Sequence, residues 1–219
     1  MKRLSIILIV SIFLVSTSAC QKAEVDMLHL PEFVHNFATA LFENRDLGTE
    51  HDINKYIQGD NLTTYLFEKI RIESFLAERT NIGKKDYTVS TKMNPPEELD
   101  KDTYYVVVAV VLEFKYTDSY ESDDISSKGT ELDLIVSTKG GKFSIIDAFE
   151  QPNYYDETIV MAFLDEKELE KGDEYGKWLH FDLKERFMDG TSIRSFDKSR
   201  ILEVVKDMEK EIISAYGDG

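Results

Sequence analysis

YYVVVAVVLEFKY, residues 104–116, decides the fold because it is the most strongly β-forming stretch of the chain. It is dense in branched and aromatic residues and contains neither Pro nor Gly. Both alternating faces are apolar up to Val111, whereas apolar residues alternate with Glu113 and Lys115 from Leu112 onward. The pattern predicts a central strand that is covered on both faces over its first half and solvent-exposed on one face near its end.

The chain before this strand has the apolar spacing of helices. Pro31 opens the first helix and Gly48 ends it, and its apolar face comprises Val34, Phe37, Ala38, Leu41 and Phe42. Residues 52–58 predict a short second helix. Residues 60–80 predict a longer one, capped by Asp60 or Asn61.

The period changes to two after these helices. Residues 87–93 predict a first strand, followed by a polar loop up to the central strand, and residues 117–129 are too rich in Ser and charge to be a strand. Residues 131–138 and 143–149 predict two further strands around a hairpin turn at 139–142. Helices followed by four consecutive strands predict the α+β class, with the N-terminal helices packed on a curved antiparallel sheet.

The C-terminal segment, residues 152–219, predicts further helices. Ser195 or Asp197 caps the last one, whose apolar stripe comprises Ile201, Val205, Met208 and Ile212. These helices either cover the second apolar face of the central strand or form a separate helical unit that binds a partner. We favour the first, because an uncovered face of valines is an aggregation hazard.

The first nineteen residues have the composition of an export signal. Lys2 and Arg3 precede an apolar stretch, and small residues at 16–19 lead directly to Cys20. Small residues directly before a cysteine resemble the lipobox of bacterial lipoproteins. That resemblance implies that the thiol of Cys20 is acylated and the peptide is cut before it, although Thr17 stands where the family usually has Leu, Val or Ile.

Two other interpretations of the leader stay open. An ordinary signal peptidase could cut after Ala19, which would leave an exposed thiol on an exported protein. A membrane-spanning helix is the third interpretation, for which an apolar run of about a dozen residues is short. On the lipoprotein interpretation, residues 20–29 are a lipidated tether and the protein is extracytoplasmic, anchored to the cell membrane by lipid at Cys20.

Cysteine count and charge exclude several functions. Cys20 is the only cysteine, so a lipidated chain has no free thiol for catalysis and no zinc site built on paired cysteines. Without the leader the chain has 24 basic and 42 acidic residues, a net charge of −18. This argues against nucleic acid as a partner, and it indicates solubility or, alternatively, a preference for cationic partners or metal ions.

The last predicted hairpin has the sequence Gly140-Gly141-Lys142-Phe143-Ser144-Ile145-Ile146-Asp147, which is similar to the closing hairpin of a known fold family. With the helical front half and the antiparallel sheet, it resembles the NTF2-like fold over residues 30–151. The resemblance implies helices that plug a cone formed by the curved sheet. It also implies a pocket that family members use for small ligands, catalysis or dimerisation, or leave unused.

Asp147 is the candidate functional residue, because strand alternation places it on one face with aromatic and aliphatic residues. A carboxylate in such surroundings has a raised pKa and can act as a base. No His or second acid can be placed beside it from the sequence, so we expect no catalytic residue. The predicted pocket comprises Asp147, Phe143, Ile145, Phe149 and Tyr116.

No other motif indicates chemistry, a cofactor or a metal. The acidic loop with Asp118, Glu121, Asp123 and Asp124 lacks the spacing of a calcium loop, and a solvated loop is the simpler interpretation. The four histidines, His29, His35, His51 and His180, are scattered. We therefore expect a lipid-anchored envelope protein that binds another envelope protein, the alternative being a small-ligand-binding protein or pocket enzyme using Asp147.

Overall fold

The computed structural model describes residues 25–80, 83–117, 125–151, 153–163 and 181–217. The leader, Cys20, the acidic loop residues and His180 lie outside these ranges. Within them, the chain forms five α-helices and one open antiparallel sheet of five strands, with helices before and after the sheet. The predicted α+β class is confirmed. No helix of the described ranges is long and apolar enough to cross a membrane.

Helices α1 (Leu30–Leu47) and α2 (Asp60–Thr80) form where the apolar spacing predicts them. Gly48 ends α1 in the left-handed region, at φ 65°, which a residue without a Cβ adopts at no steric cost. The five residues of the predicted apolar face of α1 are all buried. Burying this face against the sheet supplies most of the stability that such a helix has in a protein.

The predicted short helix at 52–58 is wrong. Only Ile53–Lys55 forms a 3-10 turn, and the chain then runs beside the last strand. The N–H of Ile145 donates to the carbonyl of Tyr56 at 2.7 Å, and the N–H of Gln58 donates to the carbonyl of Ile145 at 2.8 Å. Unpaired backbone groups at a sheet edge need partners, and this need outweighs the weak preference of a short helix.

The five strands are β1 (Lys84–Met93), β2 (Glu97–Asp100), β3 (Thr103–Tyr116), β4 (Ser126–Ser137) and β5 (Ser144–Gln151). They form a sheet of order β1–β3–β4–β5, and the short strand β2 pairs with the beginning of β3. The central strand β3 pairs antiparallel with β1 and β4, and β4 pairs antiparallel with β5.

Two polar segments predicted as loops form strands. β2 lies in the loop expected before the central strand, and β4 begins at Ser126, where Ser126 to Gly129 pair with Phe114 to Val111 of β3. Their composition is poor for a strand, but an already formed neighbour offers unpaired backbone groups along its whole length. Tertiary context thus outweighs β-propensity here.

The two faces of the sheet differ in what covers them. The inner face, which α1 and α2 cover, holds fully buried residues of β3 such as Val106, Val108 and Leu112. On the outer face, the opposite one, Ala109 is exposed and Val111 is 42% exposed. The two faces of β3 are therefore not equally covered, contrary to the sequence pattern.

The C-terminal part contains α3 (Tyr154–Met161), α4 (Leu183–Asp189) and α5 (Lys198–Tyr216), the last capped by Asp197 as predicted. Phe181 and α4 pack on β4 and β5, where the rings of Phe181 and Phe149 lie 4.6 Å apart. The last helix α5 packs against α2 instead. The favoured prediction, that these helices cover the second face of the central strand, is therefore wrong: α4 packs on β4 and β5, and the apolar stripe of α5 packs on α2.

Candidate functional site

A β-bulge separates the residues that strand alternation placed on one face. Ile135 of β4 pairs with Asp147 of β5, while the next residue, Val136, pairs with Ile145. Ile146 is the extra residue, so the alternation of β5 is interrupted there. Ile145 consequently shares the inner face with Val136, whereas Asp147 and Phe149 lie on the outer face with Ile135. The predicted single face is wrong.

Phe143 and Tyr116 lie elsewhere. The ring of Phe143 packs on Phe33 of α1, with centroids 5.3 Å apart. Tyr116 is 47% exposed at the far end of β3, edge-on to Phe114. The five predicted pocket residues therefore line no common cavity. The space between α1 and the sheet is filled by side chains such as Phe37 and Leu41, both buried.

Asp147 is fully buried on the outer face under the C-terminal segment. Its carboxylate accepts hydrogen bonds from the backbone N–H of Ala148 at 3.1 Å and from that of Arg194 at 3.5 Å. The side chain of Ser192 is also buried and lies beside this carboxylate. Burial raises the pKa of Asp147 to about 6, against the opposing effect of Ser192 and of the two N–H groups.

A second acid, Asp133, is buried on the same face and was not identified from the sequence. It accepts hydrogen bonds from the hydroxyl of Tyr105 at 3.0 Å and from the side-chain amide of Gln151 at 2.9 Å. Burial raises its pKa to about 6, although the bond from Tyr105 opposes this. Gln151 also donates to the carbonyl of Phe181 at 3.2 Å. Asp133 thereby takes part in joining the sheet to the C-terminal segment.

The inner face contains a charged cluster that the sequence analysis missed. We call it the Arg45 cluster, and its members are Arg45, Asp46, Lys69, Glu73, Lys84 and Glu150. It contains three cations and three anions, so it is balanced in charge. A balanced and paired set is the form in which charges are tolerated inside a protein.

Arg45 lies at the centre of the cluster, on the last turn of α1. Its Nη1 donates to both carboxylate oxygens of Glu150 at 3.1 Å, its Nε lies 2.9 Å from Asp46 Oδ1, and the same Nε lies 3.1 Å from Glu73 Oε2. The plane of Arg45 also lies over the ring of Phe42, 4.4 Å from its centroid. The three carboxylates outweigh burial and raise the pKa of Arg45.

Glu150 is held by a second cation. Lys69 Nζ lies 2.5 Å from Glu150 Oε2, and the hydroxyl of Thr130 donates to Glu150 Oε1 at 3.1 Å. Burial alone would raise the pKa of Glu150, but the charges of Lys69 and Arg45 outweigh it and lower the pKa to about 2. The cluster thus connects α1, α2 and the last strand.

The cluster reaches the surface through Asp46. Lys84 Nζ lies 2.9 Å from Asp46 Oδ2, to which the hydroxyl of Tyr87 also donates at 2.5 Å. Burial would raise the pKa of Asp46, yet Arg45 and Lys84 lower it to about 2. A cleft of about 230 Å³ opens above these residues and includes Lys128 in its wall. Each acid of the cluster lies within ion-pair distance of at least one cation, so the arrangement compensates the buried charges.

The signal that could have revealed the cluster is a charge placed in an apolar stripe. Arg45 follows Leu41 by four residues, and Lys69 follows Tyr65 by four, so both lie on the buried faces of their helices. Glu150 alternates with buried Ala148 on the inner face. Two basic residues and one acid at core positions indicate a buried ion pair, although their pairing needs the tertiary structure.

The described histidines do not form a metal site. His35 contacts the hydroxyl of Thr91 at 3.1 Å, and His51 lies 2.7 Å from Glu43. Within the described ranges no three His, Cys, Asp or Glu residues are placed to hold a metal ion.

Comparison with known proteins finds no counterpart: no protein-family model, curated protein or solved structure matches the chain. The class of protein is therefore defined here by fold and charge arrangement alone. It is an α+β protein whose helices are joined to its sheet by a buried ion cluster.

Proposed function

We propose that this protein is a lipid-anchored extracytoplasmic protein of the cell envelope that binds another envelope protein and carries out no catalysis. The anchoring rests on the leader and on Cys20, the single cysteine of the chain. The NTF2-like resemblance is part of the proposal. Its support is the order of helices before a strand meander and the hairpin after Gly140 and Gly141.

The position of Asp147 carries the non-catalytic part of the proposal. Its side chain has no exposed surface, because it is buried beneath the C-terminal segment. Its carboxylate accepts hydrogen bonds from two backbone N–H groups. A general base must lie within hydrogen-bond reach of its substrate, and a buried carboxylate has no such access. Replacing Asp147 by Asn should leave the biological role intact. Loss of function with the fold preserved would support the pocket enzyme instead.

The uncovered part of the outer face of the sheet is a surface that could bind a partner protein. Ala109 and Val111 of β3 are exposed there, next to Ser90 and Lys92 of β1. A contiguous exposed apolar patch on a sheet face is a surface on which a partner protein can pack. We assign the partner to this surface, the β3 outer patch, made of Ala109 and Val111.

A cross-linking experiment tests the partner surface with a matched control. Val111→Glu should abolish cross-linking of the full-length protein to its envelope partner, because it places a charge in the contact. Phe67→Glu is the control, since Phe67 is 40% exposed, much like Val111, but lies on α2, on the other side of the sheet. Equal cross-linking by both variants would contradict the assignment.

The anchor is tested separately by mass spectrometry of the mature chain. The proposal expects an N-terminus at Cys20 with the added mass of acyl groups, and a retained leader in Cys20→Ala. A mature chain that begins at Cys20 with a free thiol would indicate ordinary signal-peptidase cleavage. A wild-type chain that keeps its leader would indicate a membrane-spanning helix.

A further inference from the structure

An open cleft of about 650 Å³ lies between β2 and α4, away from the Arg45 cluster. Its apolar wall comprises Leu99, Ile146, Phe187 and Met188. Its volume falls within the range of small-molecule sites, about 300–1,000 Å³. Beside it, Lys184 Nζ lies 2.6 Å from Glu97 Oε1, an ion pair that joins α4 to β2.

Two features of the cleft wall are unusual for a simple surface gap. Ile146 is the bulge residue of β5, and bulges re-aim side chains at functional sites. Met188 is 61% exposed, so a thioether that could have packed in the core lies open to solvent. The cleft therefore offers apolar surface that no described element covers.

Lys139 and Arg194 provide positive charge at the cleft. Within the described ranges neither side chain has a carboxylate at ion-pair distance; Arg194 stacks on Phe187 at 3.8 Å and donates to the carbonyl of Phe187 at 3.4 Å. One acid, Asp100, lines the cleft and accepts a hydrogen bond from the N–H of Lys101 at 2.7 Å. The charge of Arg194 also acts on the carboxylate of Asp147, which is fully buried and does not line the cleft. Among the residues that line the cleft, two cations therefore face one acid, on a chain of net charge −16.

We propose that this cleft binds a small ligand that joins an apolar group to a carboxylate. The apolar group packs on Ile146, Phe187 and Met188. The carboxylate pairs with Lys139 and Arg194, whose guanidinium fork matches the geometry of a carboxylate and is held in place by Phe187. Burying the apolar group supplies affinity, and the two cations select for the negative charge.

Equilibrium dialysis of the purified full-length chain tests this proposal with N-acetylphenylalanine and its carboxamide, an uncharged ligand of the same size and shape. The acid should bind more tightly than the amide. Arg194→Gln and Lys139→Gln should each weaken binding of the acid by about two- to fivefold, the usual effect of one exposed ion pair, and leave the amide unchanged. Lys206→Gln is the matched control, because it removes one exposed positive charge from α5.

Met188→Glu provides an independent check at an exposed position that does not endanger the fold. This substitution should weaken binding of the acid more than binding of the amide. Thermal melting should confirm that each variant is folded. Equal binding of acid and amide, no binding of either, or equal effects of Arg194→Gln and Lys206→Gln would overturn the proposal. The dialysis does not depend on acylation of Cys20 or on the β3 outer patch, so its failure is distinguishable from failure of the proposed function.

Discussion

Arg45 and Glu150 form a two-bond pair that joins the end of α1 to the last strand, with both bonds 3.1 Å long. Their side chains are 4% and 1% exposed. Removing two charges from water is costly, and the pair offsets this cost only while both members and Lys69 are present. The Arg45 cluster therefore makes the helix–sheet arrangement depend on a few residues that are far apart in sequence.

Glu150→Gln should destabilise the protein by about 3–5 kcal/mol, because it leaves Arg45 and Lys69 buried with too little negative charge. The free energy of unfolding in urea measures this. Asp207→Asn breaks the exposed pair with Lys210 and is the matched control, for which we expect no measurable change. A loss for Glu150→Gln no larger than that of the control would show that the cluster does not hold α1 on the sheet.

The pH dependence of stability should show a maximum between about pH 4 and pH 5. Asp133 and Asp147 have folded pKa values of about 6, raised from 3.8, so the stability that they contribute in acid is lost as pH rises from about 4 to about 6. Asp46 and Glu150 have folded pKa values of about 2. The stability that they contribute above about pH 4.5 is lost as pH falls towards 2.

The double variant Asp133→Asn with Asp147→Asn tests the decline in stability that we expect between about pH 4 and about pH 6. Neither side chain can then ionise, so the decline between pH 4 and pH 6 should become shallower by about 2–3 kcal/mol for each group, since one pKa unit corresponds to about 1.4 kcal/mol. Urea unfolding at several pH values measures it. An unchanged decline in the variant would mean that repulsion among the remaining acids causes it.

Gly83→Ala should destabilise the protein by about 1–3 kcal/mol. A Cβ at Gly83 would overlap the hydroxyl of Thr117, whose N–H donates to the carbonyl of Gly83 at 2.9 Å. Adding Thr117→Ala should recover most of the loss, which thermal melting of the single and double variants measures. Gly129→Ala is the control, because a Cβ there meets nothing within 4 Å and should be neutral or slightly stabilising.

Asp197→Ala should cost about 1 kcal/mol, because the side chain of Asp197 accepts the N–H of Arg200 at 3.0 Å at the start of α5. Hydrogen exchange of the first-turn amides of α5 should accelerate, while amides of β3 keep their protection. Exchange that accelerates equally in β3 would mean that α5 and the sheet unfold as one unit.

Local pattern was enough for the three long helices and the central strand of this fold. The stripes of α1, α2 and α5 and the branched run of β3 specify their own helix or strand, because period and propensity act between residues that are close in sequence. The order of those elements was then sufficient for the α+β class. The N-terminal cap at Asp197 and the left-handed end at Gly48 could also be predicted from the sequence, because each involves only residues of its own helix.

The sequence alone thus determined helices α1, α2 and α5, the central strand and the α+β class. Only the tertiary structure decided that Ser126 begins a strand, that a bulge at Ile146 turns Asp147 away from Ile145, and that Arg45, Lys69 and Glu150 meet. The physical reason is the same in each case. Backbone pairing at a sheet edge and the pairing of buried charges are satisfied by partners that are distant along the chain.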